Sequence, residues 1–406
     1  MIRWVFGIFT FFLLLEINTT ACTNDLFDVS LLVTLLSKST SVLPSLYLCL
    51  SVFVFTFFIA QWFIPQSIRF ANRFQLMDHP NTRKTHLKPT PILGGVSIFI
   101  SVIFALALTV SFLFVNSFSI DINFKRIFGL FSAVSLMVFF GLKDDVFDVS
   151  PLEKVVFQII TALFVIISCE VRIESFDGLF GVYELSTFFS YVFSVFVFVT
   201  VVNAFNLIDG IDGLSASVGL VSTLCFGLFF FLNDLVTQSV IMFCYSGALV
   251  SFLIFNFKKR LFLGDNGSMS LGVVIAFGVF SVITTTNELN PVERTGYFIH
   301  NSSVIILALI SFPLLDTIRV FCVRLKQGKN PFSPDRNHLH HHLIRLKLSH
   351  FESTFLVVTY TLILTSVALA LNSWNITSHF FVVLLLSSFI YLISWASKKK
   401  HRKYNK

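Results

Sequence analysis

Apolar residues along the chain fall into long, uninterrupted blocks parted by short polar segments. Eleven blocks stand out. They centre on Tyr47–Ile64, Ile92–Val115, Ile127–Leu142, Val155–Cys169, Thr187–Val202, Leu214–Leu232, Leu235–Phe255, Met269–Thr285, Ser303–Phe321, Thr354–Leu371 and Phe380–Ala396. Each approaches the roughly 20 apolar residues that a helix needs to cross a hydrocarbon core, some only with their polar flanks. Lipid-facing barrel strands alternate apolar with polar positions. The run Val52-Phe53-Val54-Phe55-Thr56-Phe57-Phe58-Ile59 shows no such alternation. Because lipid offers no partner to an open backbone group, the blocks predict helices. The fold class is therefore all-α, a polytopic integral membrane protein of about 11 transmembrane helices.

Composition supports this class. Charged residues make up 13% of the chain and hydrophobic ones 55%, against about 25% charged in soluble domains. A water-facing fold, disorder, collagen and coiled coil are excluded. Lys and Arg then orient the spans. Of 29 basic residues, 23 fall on the side that holds the C-terminal tail, which predicts a cytoplasmic location for that side. The net charge of +7 thus reads as a leaflet anchor and a surface for anionic substrates. No soluble basic domain or RNA-binding aromatic motif points to nucleic acid.

Residues 1–45 form an N-terminal extension that fits a signal-like segment or an extra span equally. Residues 46–397 hold the transmembrane domain, and 398–406 a basic cytoplasmic tail. The six Cys, at 22, 49, 169, 225, 244 and 322, show no paired spacing and are expected as buried small apolar residues.

The scarce charge sorts strongly. Transporters carry ionisable residues inside their spans, but here the span interiors are nearly clean, Asp316 excepted. A lipid or solute transporter is the rival class, and chemistry at one membrane face is the simpler reading. Asp316 is expected to pair with Arg319 one turn on, with support of a site as its second role.

Five segments carry the candidate chemistry. The loop from Asp78 to Pro91 holds Lys84 and Lys88 and precedes Gly94-Gly95 at a helix start. Such a start suits a phosphate, although an anchoring loop explains the cations equally well. Asp144, Asp145 and Asp148 crowd one helix end, fitting either magnesium–pyrophosphate chemistry or a solvated acidic turn. Asn203, Asn206, Asp209 and Asp212 recur every third residue and end on two Gly that let the chain approach a ligand. Asp265 sits in a tight loop, Leu263-Gly264-Asp265-Asn266-Gly267-Ser268, where a metal ligand or nucleotide contact is expected. Finally Asp335-Arg336-Asn337-His338-Leu339-His340-His341-His342 offers hydrogen bonds to phosphate, with metal binding or a solvated loop as alternatives.

The order of these segments resembles the polyprenyl-phosphate N-acetylhexosamine-1-phosphate transferases, a glycosyltransferase 4 type family. The match runs over about residues 45–350, and Ser333-Pro334-Asp335-Arg336 before His338-Leu339-His340-His341 is most like the WecA-like GlcNAc-1-phosphate branch. That family includes the bacterial enzymes that start O-antigen, common-antigen and teichoic-acid linkage synthesis, and the enzyme of the first peptidoglycan lipid intermediate. The first 45 residues lie beyond the usual family start, and His342 extends the usual His-x-His-His pattern.

The resemblance implies transfer of GlcNAc-1-phosphate from UDP-GlcNAc to undecaprenyl phosphate, with UMP released on the cytoplasmic face of the inner membrane. The same reaction with another UDP-N-acetylsugar is the nearest alternative. It further implies magnesium (or manganese) held by Asp265 and Asn206. Asp144 and Asp145 would act on the lipid phosphate, while Asp209 and Asp212 would hold the nucleotide sugar. Lys84, Lys88, Arg336, His338, His340 and His341 would grip phosphates. Asn203 would touch substrate, and Phe262 would stack on uracil. A homodimer is compatible with the family.

Overall fold

Each of the eleven apolar blocks carries a helix in the computed structural model, which describes residues 29–78, 89–115, 122–147, 149–288, 300–328 and 338–392. The chain divides into two units, Met1–Tyr47 and Leu48–Lys406, and the site lies wholly in the second. In order, the main helices are α1 (Val29–Phe74), α2 (Gly94–Val115), α3 (Phe124–Phe147), α4 (Pro151–Cys169), α5 (Thr187–Leu207), α6 (Leu214–Leu232), α7 (Val236–Asn256) and α8 (Gly264–Glu288). They continue with α9 (Ser302–Leu309), α10 (Ser311–Lys326), the short α11 (Leu339–Arg345), α12 (His350–Ala370) and α13 (Ile376–Ser388), which ends in a 3₁₀ turn, Phe389–Tyr391.

Among the described residues, nine helices are long and apolar enough to cross a membrane, the first of them over Ser45–Phe74. The block expected as one straight span over Ser303–Phe321 is instead α9 and α10, bent by 72°. Pro313 explains the break, because its missing N–H removes the bond that would run back to the Leu309 carbonyl. The last block is shorter than a standard span, Ile376–Tyr391. No transmembrane strand occurs among the described residues. Two small antiparallel pairs do occur, β1 (Met77–Asp78) with β2 (Thr90–Pro91) and β3 (Ser175–Leu179) with β4 (Val182–Glu184).

Helix α8 is the axis of the bundle. Its whole membrane-length window is buried, with α2, α3, α5 and α6 packed around it. Lipid tails are as apolar as Leu, so close packing of small residues has to replace the hydrophobic effect between helices. A methyl group added to Gly141 of α3 would overlap the Asn266 backbone, and one on Gly95 of α2 would overlap Gly267. These contacts bring the polar ends of α2, α3 and α8 together. Among the described cysteines none is disulfide-bonded; Cys49, Cys169 and Cys244 are buried as expected, Cys225 is half-buried and Cys322 exposed.

Candidate active site

The successive helices place the C-terminal ends of α3, α5 and α7 beside the N-terminal ends of α4, α6, α8 and α12, so their polar termini meet at one end of the bundle. The first N–H groups of any helix lack partners within it. Asp145, at the end of α3, meets that need for α8: the Asp265 N–H donates to its Oδ1 at 2.9 Å and the Asn266 N–H to its Oδ2 at 3.1 Å. The carboxylate thereby caps α8 from another helix, where the helix dipole also favours negative charge.

Asn266 extends this junction to α2. Fully buried, its side-chain N–H₂ donates to Asp145 Oδ2 at 2.6 Å and to the Ile92 carbonyl at 2.7 Å. Its Oδ1 accepts from the Val96 N–H at 3.0 Å. The N–H groups of Gly94 and Gly95 donate to the carbonyls of Phe262 and Leu263, each at 3.1 Å. Ser97 N–H completes an intrahelical bond to Leu93. The expectation that the start of α2 offers backbone donors to a phosphate is therefore corrected, since protein atoms already take all four.

Asp265 faces the opposite way. Its Oδ1 accepts from Asn206 Nδ2 at 2.9 Å, and its Oδ2 lies 3.1 Å from Lys154 Nζ. Lys154 also pairs with the buried Asp144, whose Oδ1 accepts from the Val149 N–H at 2.9 Å. A capping box of Ser150 and Glu153, with Pro151 opening the helix, starts α4 so that Lys154 enters this cluster one turn in. Asn206 donates in addition to Ser268 Oγ at 3.0 Å.

Asp209 and Asp212 follow α5 in the turn that Gly213 closes at a φ of +81°. Burial, then the negative charges of Asp265, Asp145 and Asp212, hold the Asp209 carboxyl well above the usual carboxylate range. Asp212 turns aside to His350 at the start of α12, with Oδ2 2.7 Å from Nδ1, and Lys259 lies 3.9 Å away. Asn203 exchanges hydrogen bonds with Gln158 of α4, at 2.6 and 3.2 Å. In this arrangement its amide joins α4 to α5.

The bend at Pro313 brings Asp316 to the start of α11. The fully buried carboxylate accepts from Arg319 and from the Leu339 N–H, both at 3.0 Å, and its Oδ2 lies 2.9 Å from His338 Nδ1. The expected local pair with Arg319 exists, and the same carboxylate also fixes the start of the histidine segment. His340 and His341 lie on α11 by their backbone. Lys84, Lys88, Asp148 and Arg336 fall outside the described residues. Phe262 is half-buried and is held by its backbone, its N–H donating to the Pro91 carbonyl at 2.8 Å.

Sequence reasoning did not nominate Lys154, Gln158, Asn266 or His350 for the site. Asn266 and Ser268 stood in a quoted segment, but a buried amide that ties three elements leaves no linear trace. Lys154 had a usable signal, a lone cation one turn into a capped helix just after an acidic one.

Four carboxylates, Asp144, Asp145, Asp209 and Asp265, thus lie close together, and one ammonium, Lys154, pairs with two of them, Asp144 and Asp265. Such a surplus of negative charge calls for a cation or retained protons. Oxygen donors of this kind suit a hard divalent ion that takes few carboxylates and completes its shell from phosphate and water. Among the described residues no group of three or more His, Cys, Asp or Glu is placed to hold a metal ion by itself.

A family model described as glycosyl transferase family 4 matches residues 127–285, the stretch that holds these carboxylates. The undecaprenyl-phosphate alpha-N-acetylglucosaminyl 1-phosphate transferase of Escherichia coli (strain K12) is 26% identical over 354 residues, 84% of this chain and 88% of the relative. The protein of the same name from Yersinia pestis is 27% identical, covering 85% of this chain and 91% of its own. A decaprenyl-phosphate N-acetylglucosaminephosphotransferase from Mycolicibacterium smegmatis is 27% identical over 76% and 77%. Residues 127–285 thus match the glycosyl transferase family 4 model, and the chain is similar along most of its length to these named transferases.

Proposed function

We propose that this membrane protein is a phosphotransferase that moves GlcNAc-1-phosphate from UDP-GlcNAc to a polyprenyl phosphate, undecaprenyl phosphate in the first instance, and releases UMP. The observation that carries the reading is the carboxylate cluster at one end of an apolar bundle, in which Lys154 pairs with Asp144 and Asp265 while Asp145 caps α8 and Asp209 lies buried beside them. A lipid phosphate reaches such a site from the bilayer and a nucleotide sugar from water. The names and coverage of the relatives support the sugar and the lipid carrier. The excess of basic residues on this side supports a cytoplasmic face in a bacterial inner membrane. Initiation of a cell-surface polysaccharide is the corresponding role.

Phosphoryl transfer asks little covalent chemistry of a protein; positioning and charge neutralisation dominate. A lipid phosphate oxygen attacks the β-phosphorus, the one bonded to the sugar oxygen. The new P–O bond forms as the bond between that phosphorus and the bridging oxygen to UMP breaks. The lipid phosphate is already anionic near neutrality, so no base is obligatory. Lys154 offers an ammonium to the gathered phosphates, while Asp144 holds it in place. Asp145 fixes the start of α8, and so the aim of Asp265. Asp265 and the side-chain carbonyl of Asn206 would hold magnesium, which when bound offsets phosphate charge. Asp209 and Asp212 face the nucleotide-sugar side, Asp212 being steadied by His350.

Asp265→Asn tests the assignment. It keeps the shape but removes the charge that holds Lys154 and the ion. We expect UMP release to fall to background while the purified protein stays folded. Near-normal turnover would remove Asp265 from the metal-binding role.

A further inference from the structure

Outside the four-carboxylate cluster, an open cavity of about 420 Å³ lies where the end of α1 meets β1, β2 and the loop after α7. Its apolar wall includes Pro65, Ile68, Pro91 and Phe255, and its charged lining consists of Arg69, Lys259 and Arg260. No acidic residue lines it among the described residues. Among the described residues Arg69 donates only to the neutral Gln66 of its own helix and has no carboxylate partner. Lys259 and Arg260 are exposed. Three cations around an apolar floor form a receptor for a phosphate that arrives with hydrocarbon attached.

The setting favours a lipid over a soluble anion. On α1, just before and after the cavity, Phe58, Trp62, Phe70 and Phe74 stand 53–63% exposed, an apolar face suited to acyl chains. Basic pockets between helices near the membrane surface recognise anionic headgroups. We infer that this cavity binds the phosphate headgroup of an anionic glycerophospholipid, at a site separate from the carboxylate cluster. Pro91 lines the cavity, and the next residue, Ile92, accepts from Asn266 in the cluster. An occupant would therefore brace the strand on which the start of α8 rests.

Thermal unfolding of the full chain in micelles, with defined lipids added, tests this. Phosphatidylglycerol should raise the midpoint by about 3 °C or more, and phosphatidylcholine with the same chains should not. The double variant Arg69→Gln/Arg260→Gln should lose at least half of that shift, and Arg69→Lys/Arg260→Lys should keep most of it. Lys259, which also reaches toward Asp212, is left intact. Should the double variant be unfolded in phosphatidylcholine, Arg260→Gln alone, at an exposed position, carries the same comparison. An equal shift from phosphatidylcholine, or a shift retained in the Gln variants, would overturn the site. So would inorganic phosphate reproducing the full shift, which would mark a soluble-anion site. Undecaprenyl phosphate acting where phosphatidylglycerol does not would assign the cavity to the acceptor instead.

Discussion

Single carboxylates in this site carry structural duties, and under the proposed function chemical ones as well. Asp145 accepts three hydrogen bonds from Asp265 and Asn266. Asp145→Asn replaces one acceptor oxygen by a donor facing donors, which should cost about 1–3 kcal/mol. A lowered unfolding midpoint beside reduced turnover is the expected result, and an unchanged midpoint would confine Asp145 to chemistry. Asp209 behaves in the opposite sense. Its folded pKa lies well above the ordinary 3.8. The stability tied to its proton is complete below that value and is lost as pH rises through the folded pKa. In the presence of a chelator, Asp209→Asn should therefore be more stable than the native chain at about pH 8, with the difference narrowing toward about pH 5. Thermal scans at the two pH values read this directly, and a gap that widens at the lower pH would contradict it.

At the scale of elements, the spans were legible because lipid forces continuous apolar runs, and each block did yield a helix. The bend in the α9–α10 block was written in Pro313, yet a hydropathy pattern does not distinguish a kinking proline from a tolerated one. Site segments were legible as clusters of acids, amides and histidines in otherwise apolar sequence. Their partners were not, because contacts such as Asn203 with Gln158, Asp212 with His350 and Asp316 with His338 join residues 22 to 138 positions apart. The start of α2 shows the reverse error: a glycine pair that reads as a phosphate cradle serves close packing against α8. Gly141 tests that packing. Gly141→Ala would push α3 from Asn266, and overpacking of this kind costs about 1–3 kcal/mol. Both the unfolding midpoint and activity should fall; a variant of native stability and activity would show that the α3–α8 contact has slack.

For the whole molecule, membrane and site follow from one distribution of charge. Apolar helices surround a buried axial helix, and the few ionisable residues collect where the helix ends meet. Under the proposed function, this placement would let a water-soluble nucleotide and a lipid phosphate reach the same carboxylates. The most direct measurement is release of UMP by the purified full chain in micelles given UDP-GlcNAc and undecaprenyl phosphate, with and without EDTA. UMP and a GlcNAc-bearing lipid pyrophosphate should form in equal amounts, stop with EDTA and resume with excess magnesium. Lipid product that forms unabated in EDTA, or only from a different UDP-sugar, would contradict the assignment.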